Sequence, residues 1–365
     1  MWSKFLLKRM VDKSFVRLSE SRCLRNRNKH SQCSLCEEVC PQPAINITDG
    51  KLTLDSSKCS NCRLCIHVCP TEAFNYEFEQ LHKYEQKIQS CESVCFSCEE
   101  QGDPSTDVIL PCVSSLRPEM LMIGTLYEKE IQILWNEKRC LSCKSNWTHK
   151  RDLIWINEWN GSNISECNVE IIDNKDARIA SKRKVSRREL FSLSKNKTKD
   201  QVAHLVFDSF DQSSNLRDKL SLTDRRKYLL SCLKGKNSIG NIPDKIAKKL
   251  GIVKLEVTNN CQLCRKCSAT CPTGALKLEE TEEKTSLIFQ AHYCIDCDIC
   301  ENVCLEIRKS SINFEEIRKS TLLHETKLNE CPGCGDKKIE TKTYCEECNV
   351  KQVRKSILYQ NGEFD

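Results

Sequence analysis

Twenty-eight cysteines are the residues of this chain that could do chemistry, and most of them fall into short runs. Three runs share the spacing C-x-x-C-x-x-C-x-x-x-C: Cys59, Cys62, Cys65 and Cys69; Cys261, Cys264, Cys267 and Cys271; and Cys294, Cys297, Cys300 and Cys304. The two-residue gaps let three thiolates surround one face of a metal centre from a single loop. The longer gap carries the fourth cysteine away on a helical turn. Repeated in this way, the spacing favours iron-sulfur clusters over paired zinc knuckles.

A fourth run, HSQCSLCEEVCP at residues 30–41, has His30 where the first cysteine of the pattern should stand. Three interpretations remain open for the missing ligand. The His30 imidazole could bind iron, Cys23 could supply a thiolate from ten residues before Cys33, or the site could hold a labile or three-iron cluster on three ligands. Because thiolate is the softer ligand and suits iron-sulfur clusters, Cys23 is favoured.

Together the runs resemble the bacterial-type two-cluster [4Fe-4S] ferredoxins, in which the fourth cysteine of each run ligates the other cluster. The resemblance implies a polyferredoxin with two dicluster domains and four [4Fe-4S] sites. Their implied ligands are Cys23, Cys33, Cys36 and Cys69 (site I); Cys40, Cys59, Cys62 and Cys65 (site II); Cys261, Cys264, Cys267 and Cys304 (site III); and Cys271, Cys294, Cys297 and Cys300 (site IV). Pro272 matches the proline that follows the fourth cysteine in this family, whereas Leu305 does not.

The cysteines between the two pairs of runs follow a different pattern. DVILPC predicts a short strand ending at Cys112, LRPEMLMIGTLYEKE predicts a helix, and IQILW predicts a second strand before Cys140 and Cys143. Strand, helix and strand form a βαβ unit, whose parallel strands end at one edge of a sheet, where open α/β sheets place their sites. We therefore expect a metal site there, with ligands Cys95, Cys98, Cys112, and Cys140 or Cys143.

This middle module resembles the iron-sulfur subunit that links hydrogenase to heterodisulfide reductase, which implies a [2Fe-2S] centre. Zinc or a structural thiol cluster is the alternative.

Near the end of the chain, CPGCGDKKIETKTYCEEC contains two C-x-x-C knuckles, Cys331/Cys334 and Cys345/Cys348. Two knuckles at this separation are typical of a zinc ribbon, a closed tetrahedral site with a structural role. Rubredoxin-like iron is the alternative, because four thiolates suit either metal.

Composition limits the remaining function classes. Hydrophobic residues make up 39% of the chain with the cysteines included, which predicts that there is no large conventional core and that metal binding organises much of the fold. The formal charge of +6 counts every thiol as neutral. Because a [4Fe-4S] centre with four thiolates carries about −2, the basic residues offset buried anionic clusters, and nucleic acid is not an expected partner.

No run reaches the ~18–20 apolar residues of a membrane span. The N-terminus has no secretory signal, and a disulfide framework is typical of short secreted chains. These features predict a cytoplasmic protein with free thiols.

The predicted fold is α+β, with a dicluster domain at 1–80, a cysteine-rich α/β module at 81–165, a charged linker with helices at 166–250, a second dicluster domain at 251–320 and a zinc ribbon at 321–365. The predicted function is electron transfer as a subunit, donor or acceptor for a separate oxidoreductase, since no catalytic constellation is visible. Two alternatives are a redox or iron sensor that uses the incomplete first site, and a thiol-disulfide oxidoreductase at the middle module.

Overall fold

The computed structural model describes residues 16–74, 78–101, 106–143, 155–162, 168–173, 219–233, 242–340 and 342–360, together with residues 153 and 164. The first fifteen residues of the predicted N-terminal domain and residues 174–218 of the predicted linker lie outside this part of the chain. The fold is α+β. No helix among the described residues is long and apolar enough to cross a membrane.

The first dicluster unit is built from short elements that alternate with cysteine loops. They are α1 (Leu24–Arg27), α2 (Leu35–Glu38), β1 (Ile45–Thr48), β2 (Lys51–Leu54) and α3 (Leu64–Val68). Strands β1 and β2 form an antiparallel hairpin. Its turn, Asp49–Gly50, has both residues at positive φ (51° and 76°), as the tight hairpin turn between right-twisted strands requires.

The middle module is a parallel sheet covered by helices. Its elements are α4 (Phe78–Gln89), β3 (Ser93–Cys98), β4 (Val108–Leu110), α5 (Pro118–Leu126), β5 (Glu130–Leu134), α6 (Glu137–Leu141), α7 (Trp155–Asn160) and β6 (Val169–Ile172). The strand order is β4-β3-β5-β6, and all neighbours are parallel. The strand, helix and strand expected from the sequence are therefore present, with β3 lying between the two strands.

Two helices follow, α8 (Asp224–Cys232) and α9 (Asp244–Leu250), and they lead into the second dicluster unit. That unit contains β7 (Lys254–Val257), α10 (Lys266–Thr270), β8 (Leu276–Glu280), β9 (Lys284–Gln290), α11 (Ile299–Val303) and β10 (Ile307–Ser310). Strand β7 pairs with β10 and β8 pairs with β9, both antiparallel. The first pairing joins the two ends of the unit.

The C-terminal segment does not begin as a separate module at residue 321. Strand β11 (Ser320–Glu330) pairs with β9 of the second dicluster unit, and β12 (Lys337–Ile339) pairs with β11. The resulting sheet has the order β12-β11-β9-β8. Helix α12 (Glu346–Gln360) ends the described chain.

The expectation that the chain has no large conventional core is wrong. One continuous buried cluster joins the middle module to α8, α9 and the second dicluster unit, and it includes Phe96, Met120, Trp159, Leu229 and Phe289. The overall apolar fraction is misleading because these residues are concentrated in a few elements. The helices of the predicted linker are also part of this core, since Ile246 and Leu229 are fully buried.

Candidate iron-sulfur sites

The three complete cysteine runs share one backbone conformation. In each, the residues directly before and after the second cysteine have positive φ; these pairs are Asn61 (60°) and Arg63 (63°), Leu263 (47°) and Arg265 (68°), and Asp296 (52°) and Asp298 (62°). A left-handed conformation costs a non-glycine residue roughly 1–2 kcal/mol, and such strain is typical of functional loops. The chain is thereby wound around the second cysteine before the helix that carries the third.

Site III brings together the first run of the second unit and the last cysteine of the other run. The Cys304 thiolate lies close enough to Cys261 and Cys267 to repel theirs. Burial first, and this repulsion second, raise the pKa of Cys267 to about 11. The fourth member, Cys264, is exposed, and the neighbouring Leu305 is 81% exposed. Site III is therefore the dicluster site that lies open to the surroundings.

Site IV is the reciprocal group. Burial, together with repulsion from Cys271, raises the pKa values of Cys294, Cys297 and Cys300 to about 12. All four thiols line a single cavity. Four neighbouring thiols that repel one another when ionised fit an iron-sulfur cluster, because its iron ions neutralise the thiolates that bind it.

Site II has the same arrangement in the first unit. Burial raises the pKa of Cys65, and the nearby thiolates of Cys62, Cys59 and Cys40 raise it further. The Cys36 thiolate of site I acts on Cys65 as well. Sites I and II are therefore neighbours, and α2 packs against α3 between them.

Site I contains four thiols in spite of its incomplete run. Burial raises the pKa of Cys36, and so does repulsion from Cys69, Cys33 and Cys23. All four line a single cavity, as the four thiols of site IV do. The structure thus places Cys23 with the other three cysteines of this site, and the donor set fits the same kind of cluster.

A short antiparallel contact brings Cys23 to this position. Leu18 bridges to Phe74, and the Ser19 amide donates to the Ala73 carbonyl at 2.6 Å. The Arg22 side chain donates to the carbonyl of Thr71 at 2.8 Å. The segment before Cys23 is therefore tied to the segment that follows Cys69.

The histidine at the position of the missing cysteine lies elsewhere. His30 is exposed, and its backbone amide donates to the side chain of Asn28 at 2.9 Å. It does not line the cavity of site I.

The middle module groups four of its cysteines. The thiolates of Cys112 and Cys140 both lie near that of Cys98, and Cys143 lies near Cys98 and Cys140. Cys95 is not part of this group, because it packs with Leu134 and Ile172 further back along β3. Cys98 is three positions after Cys95 in β3, and because successive strand residues point to opposite faces, the two side chains lie on opposite faces of the sheet.

The C-terminal knuckles form a compact site of a different kind. The sulfur atoms of Cys331, Cys334, Cys345 and Cys348 all lie within 4.8 Å of one another. Backbone N–H groups of Cys345 and Gly333 donate to the Cys331 sulfur at 3.3 and 3.4 Å. These hydrogen bonds lower the pKa of Cys331, which favours its thiolate, the form that binds a metal.

Two buried arginines at the start of α8 were not found from the sequence. Arg225 donates to the carbonyl of His67 at 2.7 Å and to that of Cys69, and it pairs with Glu72 at 3.0 Å. Arg226 donates to the carbonyl of Cys294 at 2.9 Å. Arg225 therefore binds a cysteine loop of the first dicluster unit, and Arg226, the next residue, binds a cysteine loop of the second. In the sequence they look like part of a charged surface stretch.

Two segments of the chain, residues 31–73 and 260–306, match the family described as the 4Fe-4S dicluster domain. The chain therefore contains two such domains, and it is an iron-sulfur protein of the polyferredoxin type. The predicted resemblance to two-cluster ferredoxins is confirmed, and 4Fe-4S clusters are its cofactors. Neither a curated protein nor a solved structure matches the chain.

Proposed function

We propose that this chain is a polyferredoxin that carries four [4Fe-4S] centres and serves as an electron-transfer subunit, donor or acceptor for a separate oxidoreductase. The observation that supports this most directly is the exchange of cysteines within both dicluster domains. In the first domain, Cys40 of the first run lies with the cysteines of the second run, and Cys69 of the second run lies with those of the first. In the second domain, Cys271 and Cys304 are exchanged in the same way. A zinc knuckle has no reason to make this exchange, because its two cysteine pairs close around one ion.

When bound, such clusters supply one-electron transfer at a potential set by hydrogen bonds, burial and nearby charge. The residues of this chain perform the tasks on which that potential depends. Burial of Cys36 and Cys65 keeps water away from sites I and II. The Ala73 amide donates to the Cys69 sulfur at 3.2 Å, and the Arg226 guanidinium places a fully buried positive charge beside Cys294.

No observation favours the two alternative functions. The sensor hypothesis depended on a first site with three cysteine ligands, and Cys23 lies with the other three thiols. Thiol-disulfide exchange needs a thiol that ionises readily. In the middle module, burial raises the pKa of Cys112 to about 11, which disfavours its thiolate.

The proposal is tested by metal analysis and spectroscopy of the full chain reconstituted without oxygen. Four centres require about sixteen irons and as many acid-labile sulfides in the dicluster domains. Reduction with dithionite is expected to give electron paramagnetic resonance signals that are broadened by coupling between neighbouring centres. Far fewer irons, or no reducible signal, would refute the proposal.

A further inference from the structure

Four thiols of the middle module meet at one edge of its parallel sheet. Cys98 is the last residue of β3, Cys112 follows β4 by two residues, and Cys140 and Cys143 come shortly after β5. Strand β3 lies between β4 and β5 and is parallel to both. Their carboxyl ends therefore share an edge, which is where open α/β sheets place ligands.

Local hydrogen bonds shape the loops at this edge. The Gln101 amide donates to the Cys98 carbonyl at 3.1 Å, and the Ser115 amide donates to the Cys112 carbonyl at 2.9 Å. Asn136 caps α6, its side chain accepting from the Arg139 amide at 3.1 Å. Local hydrogen bonds therefore fix the turns at Cys98 and Cys112 and the start of the helix that carries Cys140.

The spacing of these sulfur atoms argues against a single zinc ion. Tetrahedral zinc with Zn–S bonds of about 2.3 Å holds its sulfurs about 3.8 Å apart. Among the described residues, only the C-terminal site has three or more such ligand atoms within 4.8 Å of one another. The middle group, like sites I to IV, does not form such a compact set, as expected when thiolates bind different irons of one cluster.

The middle group is also a direct neighbour of site II. Helix α3, which carries Cys65 of site II, packs against the turn Val113–Ser115 just after Cys112. Arg117, from the same segment, donates to the His67 carbonyl in α3. The thiolates of Cys112 and Cys62 are close enough to repel each other.

We propose that Cys98, Cys112, Cys140 and Cys143 bind a fifth iron-sulfur cluster, which stands next to site II at one end of a line of five centres. The proposal extends the proposed function and rests on it, because the fifth centre can exchange electrons only if the neighbouring dicluster sites hold their clusters. Cys95 is not a ligand.

The remaining contacts give the order of the line. Site II adjoins site I through Cys65 and Cys36. Site I adjoins site IV, because Cys33 and Cys297 pack on the same apolar residues, among them Leu24, and line the same cleft between the two domains. Site IV shares its domain with site III. The order is middle group, II, I, IV, III.

The test compares full-length chains reconstituted without oxygen: the wild type, Cys112→Ala, Cys143→Ala and the matched control Cys95→Ala. Iron, acid-labile sulfide and zinc are counted per chain, and circular dichroism reports folding. Cys112→Ala and Cys143→Ala are expected to lose the same two or four irons with an equal number of sulfides. Cys95→Ala is expected to lose none, although it comes from the same sheet.

A second readout is the relaxation of the electron paramagnetic resonance signal from the dicluster sites. Loss of a neighbour is expected to slow the relaxation of site II in Cys112→Ala and to leave it unchanged in Cys95→Ala. Cys112 and Cys143 are both half-buried and lie on different loops, so Cys143→Ala tests the ligand set even if Cys112→Ala does not fold.

Unchanged iron in both Cys112→Ala and Cys143→Ala would overturn the proposal, and so would loss of one zinc or one iron without sulfide. An equal loss in Cys95→Ala would overturn the ligand set. Failure of the proposed function looks different, because the wild type would then fall well below about sixteen irons. With only the fifth centre absent, the wild type would hold about sixteen irons and both variants would match it.

Discussion

Replacing Cys23 tests the most specific feature of the first dicluster domain. Cys23→Ala removes one of the four thiols that line the cavity of site I. A [4Fe-4S] cluster that loses one of four thiolates is expected to be lost or to decay to three irons. The expected deficit is therefore about four irons per chain when loss is complete, which is a quarter of the about sixteen irons in the dicluster sites.

Two companion variants make the measurement decisive. Cys36→Ala removes another thiol of the same site and is expected to give the same deficit. His30→Ala changes an exposed side chain outside the cavity and is expected to keep all the iron. Removing the Cys23 sulfur from its buried position costs about 1 kcal/mol in packing, too little to unfold the domain.

The assay is iron and sulfide per folded chain, with the visible absorption of the clusters as a second measure. The assignment of Cys23 is refuted if Cys23→Ala retains its iron. If His30→Ala then shows the deficit, the imidazole is the ligand. If neither variant does, site I holds its cluster on three cysteines, and the sensor function would need to be reconsidered.

Three further predictions concern the residues around the sites. Arg225→Met leaves the Glu72 carboxylate buried without its charged partner. It should lower the free energy of unfolding, measured by denaturant titration, by about 3–5 kcal/mol. The double variant Arg225→Met/Glu72→Gln should recover part of this loss. Burial alone would raise the pKa of Glu119, but the Arg117 guanidinium at 3.0 Å outweighs it, and the pKa is lowered from 4.5. The contribution of Glu119 to stability is therefore complete above about pH 4.5 and lost as the pH falls through the lower folded value; a Glu119→Gln variant whose acid unfolding keeps the wild-type slope would contradict this. Cys334→Ser should remove one zinc and no iron from the chain, and loss of one iron instead would identify a rubredoxin-like centre.

The spacing of the cysteines predicts which thiols share a site when three of the four ligands come from one run. The groups around Cys267 and Cys300 could be assigned from sequence because the loop that binds a cluster is local and its exchange partner is set by the family pattern. Cys23 could be named only as a candidate, because nothing in its spacing indicates the contact between Leu18 and Phe74 that carries it there.

The middle module shows the opposite limit. The pattern of apolar residues indicates β4, α5 and β5. It does not indicate β3, because every residue of SVCFSC is buried and the alternation that marks a strand is absent. Without β3, the sequence does not indicate the face on which Cys95 lies, and it predicts Cys95 as a ligand.

The buried arginines mark a third limit. Arg225 and Arg226 follow the capping residue Thr223 and look like the polar face of an exposed helix. Among their acceptors are two carbonyl groups more than sixty residues away in sequence, that of His67 for Arg225 and that of Cys294 for Arg226. A partner of this kind leaves no local signal, because any residue can offer its backbone oxygen.

The apolar cluster on which both Cys33 and Cys297 pack gives the two dicluster domains a polarity. It joins the first-run site of one domain to the second-run site of the other, which makes it a heterologous, head-to-tail contact. Such a contact leaves an equivalent surface free at each end, in the way that stacked repeats do. The middle module occupies one of these ends, beside site II, and thus caps the array. Site III is the end at which another repeat of the same kind could be added.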